Sequence, residues 1–157
     1  MKFNKTITYF VLLALAMALS SCNSYYDDDN TDNLTIKTII GNVGVNSWAY
    51  SNENNNNYFI ATIPTPEITK DVLRNGIVKI YRVFNYGREN ETHTELPHLF
   101  QQEEISDDGQ AYFFTTEIMA EITAGRVAII YTESDFNYEI DVNFVPGDMV
   151  FRIVVMY

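Results

Sequence analysis

Few side chains in this sequence have the types and spacing that catalysis requires. The only cysteine is Cys22, and the only histidines are His93 and His98. His93 and Glu95 could share one face of an extended segment, but no third ligand stands at a recognisable spacing, and zinc sites use three or four protein ligands. The chain contains no nucleophile-elbow, zinc-protease, phosphate-loop or dinucleotide-binding motif. We therefore predict no catalytic residue, no metal ligand and no cofactor, and expect that the protein is not an enzyme.

A second set of residues could bind sugars. Trp48, Tyr50 and Tyr58 flank an asparagine-rich stretch at residues 54–57. Aromatic rings pack on the apolar faces of sugar rings, and asparagine side chains both donate and accept hydrogen bonds. These three aromatic residues are the candidate ligand-binding residues. For Trp48 the alternative is a place in the core of the domain, and we expect that outcome because a large indole is usually well buried.

Cys22 ends a segment with the organisation of a secretory signal peptide. Lys2 and Lys5 precede an apolar run at residues 9–19, and small residues at 20–21 lead into the cysteine. The apolar run is too short for a transmembrane helix, which needs roughly 20 residues. Residues 19–22 resemble the lipobox of bacterial lipoproteins. That resemblance implies cleavage before Cys22 and a lipid on this cysteine, which would attach the protein to a membrane.

The sequence predicts three parts. Residues 1–21 are the signal peptide, residues 22–33 are an acidic disordered tether, and residues 34–157 form the folded domain. The tether contains four aspartates within residues 27–32 and shows no apolar periodicity. Its acidic cluster resembles the signal that sends Bacteroidota lipoproteins to the cell surface. The alternative is a solvated, self-repelling spacer.

The charge balance excludes some partners. The whole chain carries a net charge of −11, and both basic residues of the signal peptide lie before Cys22. From Cys22 onward there are 8 basic and 21 acidic residues, which gives a net charge of −13. Such a protein repels nucleic acid and anionic lipid head groups, so the acyl chains must provide the membrane attachment. With Cys22 lipidated, the domain has no thiol for a disulfide.

Alternation of apolar and polar residues predicts a mostly β domain of about nine short strands. The pattern is clear at residues 127–131, 140–144 and 149–157, and Gly41-Asn42 is expected to end the first strand. No long helix alternates with these strands, so an antiparallel β-sandwich is the expected fold. An open β-barrel is the alternative.

One short helix is predicted between the third and fourth strands. Thr65 could cap its start, and Asn75-Gly76 would end it. Ile68 and Val72 stand four residues apart and would share one face. A helix of about ten residues is not stable alone, so this face must pack on a sheet.

Several short motifs in the domain are familiar as a set. They are Ile68-Thr69, Asp71-Val72-Leu73, Gly76, residues 78–81, Leu96-Pro97, Ser134-Asp135 and residues 151–155. Together they resemble small uncharacterised lipoproteins of the Bacteroidota. The resemblance implies a β-rich domain and a place in the cell envelope, at the outer membrane, but it implies no activity.

These observations favour a lipid-anchored envelope protein with a non-enzymatic binding or accessory role. Its partners would be the membrane, through the N-terminal lipid, and a glycan or another envelope protein. A structural component of surface fibres is the alternative. A hydrolase whose site has no recognisable motif is a third and weaker reading.

Overall fold

The computed structural model describes residues 34–53, 56–105, 109–134 and 144–157. These residues form nine strands and one short α-helix. All strand pairs are antiparallel, and the strands form two sheets rather than one closed barrel in the described ranges. The predicted fold class is therefore confirmed.

The two sheets differ in size. Sheet A has four strands in the order β1-β9-β4-β5, and sheet B has five in the order β2-β3-β8-β7-β6. The strands of sheet A are β1 (Ile36–Val43), β4 (Ile77–Phe84), β5 (Thr92–Glu95) and β9 (Met149–Met156). Those of sheet B are β2 (Ala49–Glu53), β3 (Asn56–Thr65), β6 (His98–Ile105), β7 (Ala111–Thr123) and β8 (Gly125–Glu133).

The core lies between the inner faces of the two sheets. Strand β9 buries every second residue, including Phe151 and Ile153, and β8 does the same with Val127 and Ile129. All four side chains belong to one apolar cluster. Complete burial of such a side chain stabilises the fold by about 1.5–3 kcal/mol. The period-two pattern at residues 127–131 and 149–157 is thus the signature of these two inner faces.

Strand β1 does not end at Gly41, contrary to the prediction. It continues to Val43, and Gly41 pairs with Phe151 of β9. The glycine is needed for close packing of the sheets, because a Cβ atom there would lie 2.6 Å from Cδ1 of Ile63 on β3. A residue that predicts a turn from sequence is here a point of close approach inside a strand.

The helix, α1, spans Lys70–Asn75 and starts later than predicted. Thr65 is the fully buried last residue of β3, so the cap is Thr69, whose Oγ1 accepts a hydrogen bond from the amide of Val72 at 3.2 Å. The end at Asn75-Gly76 is as predicted. Ile68 and Val72 are buried in the core cluster, but Ile68 precedes the helix. Pairing of β3 with β8 through Thr65 prevents an earlier helix start.

Some predicted features lie outside the described residues. They are the signal peptide, Cys22 and the tether, and most of the strand expected at residues 140–144. The described domain, Leu34–Tyr157, is one compact unit. Within the part of the chain that the structure describes, no helix has the length and apolar character needed to cross a membrane.

Candidate functional site

An open groove of about 450 Å³ lies on the outer face of sheet B, away from the core; we call it the outer groove. Strands β3, β7 and β8 form most of it. On β3, Tyr58 and Ile60 alternate with the buried residues Phe59 and Ala61, so the first two point outward. The groove therefore uses the side of the sheet that the core does not need.

The floor of the outer groove is apolar. Ile60 pairs with Ile130 of β8, and Ile130 pairs with Met119 of β7. The three side chains form one row across three neighbouring strands, and all three are half-buried. Directly paired residues of a sheet stand about 4.5–5.5 Å apart, so this row is a continuous apolar strip.

Hydrogen-bonding side chains surround this strip. Tyr58 and Asn56 line one side of the outer groove, together with the backbone of Asn57, and Thr132 lies beside Asn57. The Thr132 hydroxyl donates to the backbone carbonyl of Asn57 at 3.2 Å, which fixes β3 against β8 at this point. The arrangement offers a ring, the amide of Asn56 and a hydroxyl above an apolar surface.

The charge at the outer groove is negative. Glu53 and Glu121 line it, and Glu133 contributes at one end. Glu133 is buried and accepts a hydrogen bond from the hydroxyl of Tyr131. Burial, together with this bond to a carboxylate, raises the pKa of Tyr131, so its phenol keeps its proton. A ligand bearing carboxylate, phosphate or sulfate groups would meet like charge here.

No family model, curated protein or solved structure matches this chain.

The three aromatic residues singled out from the sequence do not form one platform. Trp48 lies in the core with 9% of its surface exposed, and its Nε1 donates to the carbonyl of Gly147 at 3.3 Å. Its ring meets Tyr131 edge-on at 6.3 Å. Trp48 is buried because it directly precedes β2 and its side chain lies on the face of sheet B that packs against sheet A.

Tyr50 and Tyr58 lie on opposite faces of sheet B. Tyr50 pairs with Phe59, whereas Tyr58 pairs with Ser51 one position along, and neighbouring positions of a strand point to opposite sides. Tyr50 is 48% exposed, meets Phe59 edge-on at 5.8 Å and donates to Oδ1 of Asn57 at 2.6 Å. Of the three candidates, only Tyr58 lines the outer groove. Ligand binding by Tyr50 and Tyr58 stays a prediction.

The two histidines have structural neighbours. His93 Nε2 lies 2.6 Å from Oε1 of Glu91, and Glu95 forms an ion pair with Lys79 instead. His98 stacks on Phe100 with ring centroids 4.9 Å apart, and burial, with the nearby charge of Arg82, lowers the pKa of His98. The described residues contain no group of three or more metal-ligating side chains.

Sequence reasoning missed most of the outer groove. Ile60, Met119 and Ile130 are far apart in the chain and belong to no motif. A signal was present, because each stands out of phase with the buried residues of its own strand. Three outward apolar residues on strands that pair would have indicated a surface made for contact.

Proposed function

We propose that this protein is a lipid-anchored protein of the bacterial cell envelope that binds an uncharged carbohydrate in the outer groove, without catalysis. The observation that carries the proposal is the combination of an apolar floor with the ring of Tyr58 and the amide of Asn56 at its side. The lipid anchor rests on the sequence around Cys22.

Carbohydrates fit this combination for a physical reason. A sugar ring presents C–H groups on its faces and hydroxyls around its rim. The row of Ile60, Ile130 and Met119 suits the C–H face, and Tyr58 adds an aromatic surface. Carboxylates of Glu53 and Glu121 accept hydrogen bonds from hydroxyls, and such charge-assisted bonds are stronger than neutral ones.

The acidic residues also define which glycans are excluded. Sulfated, phosphorylated and uronic-acid-rich chains would bring negative charge to Glu53, Glu121 and a protein of net charge −11. Like charges in an interface cost several kcal/mol. Neutral glycans are therefore the expected ligands.

The tether fits a binding role at a membrane. Residues 23–33 could extend at most about 35–40 Å. A spacer of this length would hold the domain within reach of ligands at the membrane surface. Binding near a surface then profits from the high local concentration that tethering creates.

A glycan array tests the proposal. The full-length chain, fluorescently labelled, is applied to neutral and acidic glycans, and neutral ones should give the signal. For the strongest neutral glycan, Tyr58→Ala should weaken binding at least tenfold in calorimetric titration. Tyr86→Ala is the matched control, because Tyr86 is 47% exposed and lies in the turn after β4.

The results of these experiments distinguish binding in the outer groove from other causes of a lower affinity. Equal loss from Tyr58→Ala and Tyr86→Ala would show that tyrosine loss in general, rather than the outer groove, lowers the affinity. Binding only to acidic glycans, or to none of the array, would contradict the proposal. Urea unfolding of both variants checks that neither loses its fold.

A further inference from the structure

Among the described residues, the two sheets leave a groove uncovered between β4 and β7; we call this groove the open seam. It is a groove of about 270 Å³ whose lining includes Val78 and Ile80 of β4, Leu96, and Ala120 and Ile122 of β7. The seam arises where the chain crosses from sheet A to sheet B. It is separate from the outer groove, although Met119 borders both.

The crossing leaves two strand edges without a neighbour in the described residues. Strand β5 pairs with β4 only from Tyr81 to Phe84, and its last contact is the bond from the Leu96 amide to the Ile80 carbonyl at 2.9 Å. Strand β6 begins at His98, opposite Ile118 of β7. Residues 77–79 of β4 and 119–123 of β7 therefore pair on one side only.

The core is incompletely covered at the open seam. Val78, Leu96, Ala120 and Ile122 pack against the buried cluster but are only partly buried themselves. By contrast, Ile118 of β7, which lies opposite the first residue of β6, is completely buried. An unpaired edge with backbone donors and acceptors, next to apolar side chains, is the arrangement that an added strand completes.

We propose that the open seam binds an extended peptide segment of a partner protein, with apolar residues alternating and basic residues at its ends. The segment would lie along residues 119–123 of β7, in line with β6, and place its apolar side chains over Val78 and Ile122. Five strand positions span about 17 Å, so a short segment is sufficient.

The negative charge at the open seam indicates which kind of partner segment would bind there. Glu117 lies on the rim of the seam and has no ion-pair partner among the described residues, whereas Lys79 is already paired with Glu95. The chain as a whole carries a net charge of −11. A second copy would bring the same negative charge, so a basic segment of another protein fits better.

Fluorescence anisotropy with two labelled peptides provides the test. Both are nine residues long and alternate valine with threonine; one has lysine at each end and the other has glutamate. Backbone pairing gives affinity largely independent of sequence, so these peptides are suitable probes. The full-length chain should bind the lysine-ended peptide saturably and at least tenfold more tightly than the other, with a difference that shrinks in high salt.

Two variants locate the binding. Ala120→Arg fills the seam and should weaken binding at least tenfold. Glu117→Lys changes only the rim, keeps the core intact and should reduce the preference for the lysine-ended peptide at least threefold. Glu89→Lys is the matched control, because Glu89 lies in the turn at the other end of β4, and its preference should equal that of the unchanged protein.

Three results would overturn the proposal. The first is the absence of saturable binding of either peptide. The second is an unchanged preference in Glu117→Lys, which remains informative if Ala120→Arg fails to fold. The third is a dimer of the full-length chain in sedimentation that Ala120→Arg abolishes, since the occupant would then be a second copy.

Discussion

Trp48 connects the two sheets at the level of a single residue. Its indole lies among the buried residues, meets Tyr131 edge-on and donates to the carbonyl of Gly147, which precedes β9. One side chain thus touches sheet B and the segment that enters sheet A. A large ring in such a place contributes through burial and through the satisfied N–H group.

We predict that Trp48→Ala lowers the free energy of unfolding by about 3–5 kcal/mol, because it leaves a cavity and removes the hydrogen bond to Gly147. Urea unfolding measures this change. Tyr86→Ala is the control and should cost less than about 1 kcal/mol, as exposed side chains do. In the unchanged protein, tryptophan emission should be blue-shifted and poorly quenched by iodide. A change below 1 kcal/mol for Trp48→Ala would contradict the burial.

Cys22 carries the second prediction at this scale. Lipidation contributes about 0.8 kcal/mol of membrane binding per buried CH₂ group, and stable anchoring takes at least two signals, which multiple acyl chains would supply. Cys22→Ala should therefore move the protein from the membrane fraction to the soluble fraction. Ser24→Ala, two residues away, should leave it in the membrane. Retention of Cys22→Ala in the membrane fraction would contradict the proposal of a lipid on Cys22.

At the level of elements, the turn between β4 and β5 is fixed by Glu91. Its carboxylate accepts from the amide of Gly87 at 2.7 Å, lies 2.6 Å from His93 Nε2 and accepts from Arg152 of β9 at 3.1 Å. These contacts tie the turn to the outer face of sheet A. The Gly87 amide, then His93 and the charge of Arg152, lower the pKa of Glu91.

The contacts of Glu91 predict that the free energy of unfolding depends on pH. A carboxylate whose pKa is lowered on folding contributes stability above its unfolded pKa, about 4, and loses this contribution as pH falls through the lower folded value. Glu91→Gln should therefore be less stable than the unchanged protein at pH 7. The difference should shrink as the pH falls below about 4 and vanish below the lowered folded pKa of Glu91. Glu89→Gln should show no such difference. Chemical unfolding across pH measures both, and a gap that persists in acid would rule out the ionic contribution.

The strands and the helix also show how much of the fold can be predicted from the sequence. Alternation at residues 127–131 and 149–157 was sufficient to predict the inner strands, because burial of one face enforces a period of two. The end of α1 was also predictable from a local signal, because the pair Asn75-Gly76 is typical of a helix end. Its start was not, since Thr65 and Thr69 are equally good caps and only the pairing of β3 with β8 chooses between them.

The outer groove could be predicted only in part, because the sequence shows which apolar residues point outward but not how they align between strands. Its floor depends on Ile60, Ile130 and Met119 standing in one row, and that row depends on the register between three strands. A shift of one residue would point each side chain to the other face. Local patterns do not contain this register, so the sequence suggested the neighbours Trp48, Tyr50 and Tyr58 instead.

At the level of the whole molecule, the fold has no cross-link to depend on. Cys22 is the only cysteine, and the described residues show no cluster suited to a metal. We expect stability to come from the core and the strand pairing. We predict that heating scans with and without chelator and reductant superimpose. A midpoint several degrees lower with chelator would reveal a bound metal, because a ligand of the folded state adds to its stability.

We propose that a neutral glycan binds on the outer face of sheet B. Hydrogen exchange of the full-length chain, followed by mass spectrometry with and without the strongest neutral glycan, tests it most directly. We expect slower exchange in peptides that cover residues 56–60, 119–121 and 130–133, with no change in β1 or β9. Protection confined to sheet A or to the Trp48 region, with none on the outer face of sheet B, would contradict it.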